Sequence, residues 1–209
     1  MLAHVAAIVD ATDLPVSADL ENGYADDPAG VADTFRRAVA AGVVGASIED
    51  ATGDPQRPLL DPAVAAERVR AAAEAVRALP FPFMLTARVE NFLVGRRDLK
   101  DTIGRLQAYQ DAGADVLYAP GLVDAGDIAT VVRAVDRPVN VVMGLAGSRL
   151  DLAALAALGV KRVSVGSALS RAAFGAFIRA AREMREQGTF GFADDAVSYA
   201  GLEHRPELG

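Results

Sequence analysis

Two carboxylates two residues apart, Asp19 and Glu21, close the short apolar run that begins at Leu14, and Gly23 follows where the backbone can turn away. In an extended chain residues i and i+2 point the same way, so the pair can reach one shared point, and paired oxygen donors suit a hard cation. Later apolar runs end in similar residues: Glu49-Asp50 after Val43 to Ile48, and Arg88 with Glu90 and Asn91 after Phe83 to Ala87. An arginine at such an end can grip a substrate carboxylate bidentately. Taken singly, Asp19, Glu21 and Glu49 can equally cap the following helices or pair with arginines. Their recurrence on successive ends weakens that alternative without removing it.

The elements that must position these groups alternate along the chain about six times. Expected strands are Pro15 to Asp19, Val43 to Glu49, Phe83 to Arg88, Asp115 to Ala119, Val139 to Met143 and Arg162 to Gly166. Between and after them lie amphipathic helices, Pro28 to Ala41, Pro62 to Leu79, Arg97 to Ala112, Asp124 to Ala134, Leu150 to Leu158 and Ser170 to Glu186. Three helix exits, at Gly42, Gly113 and Gly159, supply the left-handed residue that ends a helix before a buried strand. Repeated units of this kind imply a parallel sheet with helical crossovers. No Gly-x-Gly-x-x-Gly follows any strand, so the pattern suits a (β/α) barrel better than a dinucleotide fold. In a barrel the chemistry sits at the C-terminal strand ends, which is where the acids and Arg88 fall.

Composition narrows the classes. A chain of 209 residues, 52% hydrophobic and 23% charged, can bury one substantial core. A net charge of -7 argues against nucleic acid, and no apolar run is long enough to span a membrane. With no cysteine, disulfides, thiolate metal sites and a cysteine nucleophile are excluded, and a cytoplasmic location is expected. His4 and His204 are the only histidines, so neither a histidine metal cluster nor a Ser-His-Asp triad is expected. Lys161 lies at the start of the last strand, the wrong end for a Schiff base. Gly166-Ser167 before the last helix can cradle a phosphate or simply cap that helix. The side of the strand on which Asn140 lies is uncertain by one residue.

Four segments, Ser17-Ala18-Asp19-Leu20-Glu21-Asn22-Gly23-Tyr24, Ser47-Ile48-Glu49-Asp50, Thr86-Ala87-Arg88-Val89-Glu90 and Arg162-Val163-Ser164-Val165-Gly166-Ser167, resemble the isocitrate lyase/phosphoenolpyruvate mutase superfamily, in its mutase-like, carboxyvinyl-carboxyphosphonate phosphorylmutase-type branch. The resemblance runs from about Leu14 to Gln187. It implies a (β/α)8 TIM-type barrel and a Mg2+ (or Mn2+) ion held directly or through water by Asp19, Glu21 and Glu49. It further implies that Arg88 binds the carboxylate of a small 2-oxo or 2-hydroxy acid, and that a C–C or P–C bond is cleaved or rearranged through an enolate, with Glu49 and Arg88 as the catalytic pair. Stabilising that developing oxyanion is the main catalytic effect in such a site.

The departures are informative. The lyases of this superfamily carry a Lys-Lys/Arg-Cys-Gly-His loop after the Ile-Glu-Asp motif; here the loop reads Ala51-Thr52-Gly53-Asp54-Pro55-Gln56-Arg57-Pro58, so cysteine-based acid-base chemistry is not expected. Members also begin with two further βα units, whereas Leu2 to Asp10 looks like the helix before their third strand. The expectation is therefore a barrel lacking its first two βα units in this chain. A start site placed too late is the favoured reason; a fragment completed by another chain and a non-catalytic barrel remnant acting through oligomerisation or partner binding are the alternatives. Residues 1–188 are expected to form the barrel domain. The segment 189–209, with Phe190, Phe192 and Tyr199, is expected to pack on something, as its aromatic content is poorly suited to a solvated tail, and the resemblance implies that it is exchanged between subunits of a homodimer or homotetramer.

Overall fold

The computed structural model describes residues 1–144, 147 and 149–203. His204 and the last part of the 189–209 segment lie outside the described residues. Helix α1 (Leu2–Asp10) leads into six βα units: β1 (Ser17–Asp19), α2 (Pro28–Ala40), β2 (Gly45–Glu49), α3 (Pro62–Arg77), β3 (Met84–Arg88), α4 (Leu99–Asp111), β4 (Val116–Tyr118), α5 (Ala125–Ala134), β5 (Val139–Val142), α6 (Leu152–Ala157), β6 (Arg162–Ser164) and α7 (Ala168–Gln187). Each strand expected from the sequence is present, shortened by a residue or two at one or both ends.

The helices begin where side-chain carboxylates can cap them. Asp27, Asp61, Asp98, Asp124 and Asp151 each accept a backbone N–H in the first turn, and Pro28 and Pro62 occupy the first helical position. They end as expected, with Gly42, Gly113 and Gly159 at φ of +95°, +107° and +91°. Ser167 precedes α7 without a side-chain capping bond.

All six strands pair in parallel in the order β1-β2-β3-β4-β5-β6. A doubly wound sheet reverses its order at a switch point, so this monotonic order is the winding of a barrel, here seen as a six-stranded part of a TIM-type fold. Strand alternation then divides the sheet into two unlike faces. One face presents Ala46, Ile48, Leu85, Ala87, Leu117, Val139 and Val141, all buried, to the helices. On α3 the buried residues Ala65, Val69, Ala72, Ala73 and Val76 recur at helical spacing and complete this layer with Val31 and Phe35 of α2. The opposite face carries the site.

By compactness the described chain divides into Met1–Ser164 and a second unit from Val165 onward. In the second unit Glu183 on α7 accepts hydrogen bonds from Thr189 Oγ1 at 2.8 Å, Gly191 N at 2.5 Å and Phe192 N at 3.2 Å, so the chain folds back after Gly188. A short 3-10 turn (Gly191–Asp195) and α8 (Tyr199–Glu203) follow.

Phe35 is fully buried and meets the Phe83 ring edge-on at 6.3 Å between centroids. Replacing it with alanine removes both burial and this contact. Phe35→Ala is expected to lower the unfolding free energy by about 3–5 kcal/mol, measured by urea titration. A loss under ~1 kcal/mol would show that the α2 face is not part of the core.

Candidate functional site

The ladder register places Glu49 beside Arg88 and Arg88 beside Tyr118, while Asp19 pairs with Ser47 and Ser47 with Thr86. Register partners in a parallel ladder project to the same side. The face away from the helices therefore carries Asp19, Ser47, Glu49, Thr86, Arg88 and Tyr118, and continues through Asn140, Arg162 and Ser164 on β5 and β6. The strand-side ambiguity of Asn140 is thereby resolved: it shares the face with Arg88.

Arg88 is the centre of this layer. Its Nη1 donates to Asp19 Oδ2 at 2.5 Å, its Nε donates to Glu90 Oε1 at 3.0 Å, and its Nη2 lies 3.1 Å from Glu49 Oε2. The guanidinium carbon stands 5.4 Å from the centroid of the Tyr118 ring, inside cation–π range. Ser47 Oγ donates to Asp19 Oδ1 at 3.0 Å, fixing the carboxylate that meets Arg88. Farther along, Asn140 Nδ2 donates to Ser164 Oγ at 3.0 Å, while Asn140 Oδ1 is buried without a protein partner among the described residues.

Glu21 reaches the site by another route than strand alternation. β1 ends at Asp19, and Glu21 lies in the following turn at φ +47°, with Tyr24 at +50°. Its backbone N–H bonds Asp19 Oδ1 at 3.0 Å and its carbonyl accepts from Glu49 N at 2.9 Å. Left-handed backbone at non-glycine residues is costly and concentrates at functional sites. The charge of Glu21 is felt by both Glu49 and Tyr24, so the acids expected from the sequence do share one neighbourhood.

That neighbourhood holds more negative than positive charge. Asp19, Glu21, Glu49 and Glu90 surround one guanidinium. The Glu49 carboxyl is pushed up to about 7, chiefly by burial and further by Glu90, Asp19 and Glu21, against the opposing attraction of Arg88. The Glu90 carboxyl is also raised, again chiefly by burial, with Arg88 opposing. Burial works against the Arg88 charge too, but Glu90, Asp19 and Glu49 outweigh it and hold its pKa above the ordinary arginine value. The Glu49 ion pair does not keep its carboxyl acidic because burial outweighs the attraction of Arg88, which also meets Asp19 and Glu90.

Among the described residues no three acidic or histidine side chains converge on one point as a ready-made metal site. The donors present are nonetheless all oxygen, and the crowding of Asp19, Glu21 and Glu90 that adds to the burial of Glu49 is what a divalent cation would relieve.

Two other strand-end residues turn out to be structural. Asp50, 1% exposed, faces away from Glu49; its Oδ1 accepts Glu90 N–H at 2.8 Å, and its Oδ2 accepts Tyr109 Oη–H at 2.7 Å and Arg105 Nη1–H at 3.0 Å. It thereby pins the strand end that carries Arg88. Asn91 is fully buried, donating to Thr102 Oγ1 of α4 at 2.6 Å and to the carbonyl of its N-cap Asp98 at 3.2 Å, which ties the β3–α4 loop to the helix start.

The raised Glu49 has a consequence for the metal-free protein. Between the ordinary carboxyl value of 4.5 and about 7 the native state keeps a proton that the unfolded chain has released. This contribution to stability is full at the acid end and is lost as pH rises through about 7. Relative to Glu49→Gln, wild type is therefore expected to lose stability across that window in chelator, and to hold level above it, by urea unfolding at each pH. Parallel curves for the two proteins sink the assignment.

Comparison with known proteins bears on the whole first unit. The family described as phosphoenolpyruvate phosphomutase matches residues 1–185. A crystal structure described as a lyase/mutase from Burkholderia cenocepacia J2315 is similar at 63% identity and TM-score 0.94, covering 97% of this chain and 73% of that one. An oxaloacetate decarboxylase of a Marinomonas species is 29% identical over 91% of this chain and 67% of its own length. A phosphonopyruvate hydrolase complexed with oxalate and Mg2+ is 26% identical with TM-score 0.81, covering 96% of this chain and 71% of that one.

Proposed function

The chain belongs to the phosphoenolpyruvate phosphomutase family, whose relatives include lyases and other enzymes of small carboxylates, and from that premise we propose that it is a Mg2+-dependent lyase. It cleaves a C–C bond of a small 2-oxo or 2-hydroxy carboxylate through an enolate. Rearrangement or cleavage of a P–C bond is the neighbouring possibility within the same family. The six-stranded sheet is read as the greater part of a (β/α)8 TIM-type barrel, with a cytoplasmic location. Among the described residues no helix is long and apolar enough to cross a membrane.

The observation that carries this reading is Arg88 held among Asp19, Glu49 and Glu90 at the strand ends. Asp19, Glu21 and Glu49 would hold Mg2+ directly or through water, since this ion keeps several waters and needs few protein ligands. When bound, the ion supplies a Lewis acid for a developing oxyanion. Arg88 binds the substrate carboxylate and adds its charge beside the enolate. Its side chain is oriented before substrate arrives, by Glu90 on one side and the Tyr118 ring on the other, which lowers the cost of ordering it later. The oxalate and Mg2+ carried by the similar phosphonopyruvate hydrolase support the choice of a planar dicarboxylate as a probe.

Calorimetric titration with oxalate is expected to show binding only in the presence of Mg2+. Asp19→Ala should weaken it at least ~10-fold, and Arg88→Lys, which loses the bidentate fork, about 10- to 100-fold. Oxalate binding that ignores Mg2+, or that survives Asp19→Ala unchanged, overturns the reading.

The residues beyond Gly188 are proposed to pack on another copy of the chain in a homodimer or homotetramer. Exposed Phe190 and Tyr199 support this, as does exposed Phe177 on α7. A chain ending at Gly188 should shift to a smaller species in light scattering; unchanged mass and unchanged thermal stability would refute the packing.

A further inference from the structure

Arg68 stands in α3, in a stretch whose Ala/Arg/Glu composition reads as a solvated face, yet it is 3% exposed. Its hydrogen-bond partners are not carboxylates. Nη1 donates to the carbonyl of Asp26 at 2.7 Å, and Nη2 donates to the carbonyls of Ala25, at 2.7 Å, and Asn22. Its Nε is buried with no partner among the described residues. Burial lowers the Arg68 pKa, and the attraction of Asp26 and Asp27 only partly opposes this. A charge buried on neutral carbonyls is an expensive way to fill space, since an apolar side chain of similar volume would pack there at lower cost.

The three carbonyls belong to one loop, the connection from β1 to α2 that includes Glu21. That loop carries left-handed backbone at Glu21, Gly23 and Tyr24, and is further tied by Gly23 N to Leu20 O at 2.7 Å and Tyr24 N to Asn22 Oδ1 at 3.1 Å. Such conformations persist only where the surroundings over-determine them. Arg68 also lines the same narrow gap as Glu49, Asp50 and Arg88.

We propose that Arg68 is a positioning residue for the carboxylate array: by gathering the carbonyls of Asn22, Ala25 and Asp26 on one guanidinium, it fixes the loop that presents Glu21 and Tyr24 beside Asp19. It touches neither substrate nor ion. The metal-affinity half of this inference rests on the function proposed above; the loop-ordering half does not. Lysine cannot replace it fully, because a single ammonium lacks the planar fork that reaches carbonyls on two sides.

The test uses the full chain as wild type, Arg68→Met and Arg68→Lys. In chelator, amide hydrogen exchange of residues 20–27 is expected to quicken on the order of tenfold or more in Arg68→Met, while that of residues 84–88 in β3 changes little. With Mg2+, oxalate affinity should fall about tenfold in Arg68→Met, less in Arg68→Lys, and recover in part when methylguanidinium is added to Arg68→Met. Exchange that is unchanged in the loop, or that quickens equally in β3, overturns the proposal. Should Arg68→Met not fold, the loop-against-β3 comparison in Arg68→Lys decides it by the same criterion. Wild type that binds no oxalate with Mg2+ defeats the proposed function, and the chelator arm still decides the role of Arg68.

Discussion

The site rests on one guanidinium with too many claims on it. Arg88 meets Asp19, Glu49 and Glu90 at once, and one positive charge cannot neutralise three carboxylates. Burial raises the Glu49 and Glu90 carboxyls, neighbouring carboxylates push them further in the same direction, and the shared Arg88 only partly opposes this. Much of the surrounding architecture serves to hold this frustrated cluster in place. Ser47 fixes Asp19, Tyr118 covers the guanidinium, and Asp50 anchors the backbone at Glu90 from the other side of the sheet. A cluster relaxed to its own minimum would recruit one cation per acid. This one keeps its acids close and undercompensated, a state that a divalent ion and an anionic substrate together can resolve.

The two unlike faces of the sheet make such a cluster tolerable. Ala46, Ile48, Leu85, Ala87 and Leu117 pack against α2, α3 and α4 and supply the burial that stabilises the fold. The polar face therefore need not contribute cohesion, and its strand ends are free to carry charge. Because alternation is strict, adjacent residues divide the labour: Glu49 faces the site, while Asp50 faces the helices and ties β2 to β3 and α4.

Legibility in the sequence follows from how local each signal is. The helices are legible because their amphipathic spacing and the glycines that end several of them act within a few residues, whereas the caps at Asp27, Asp61 and Asp98 are seen only in the structure. Asp19, Glu49 and Arg88 were readable because strand ends in a parallel fold can be located without knowing the register. Glu21 comes near Asp19 by another route than its spacing implies. Alternation was expected to align it with Asp19, but β1 ends at Asp19 and a left-handed turn sets its place. Tyr118, Asn140 and Ser164 required the register itself, which no single strand encodes. Tyr118 lies one register step from Arg88, and the rule that partners share a side would have found it. Arg68 gave no local signal at all, since only the approach of a distant loop distinguishes it from its exposed neighbour Arg70.

Arg68 and Arg88 show how one residue type serves two opposite purposes. Arg88 is partly accessible and surrounded by anions, so its charge is available to a ligand that can displace or share them. Arg68 is sealed from solvent and bound to carbonyls, which cannot accept its charge and cannot be exchanged for a ligand. Its work is mechanical. The Asp19 to Tyr24 segment includes two non-glycine residues at positive φ, and local hydrogen bonds alone leave the outer part of the loop untied. Joining Asn22, Ala25 and Asp26 to α3 makes the loop part of the helical layer, so the geometry of the charged cluster is set by the same packing that stabilises the fold.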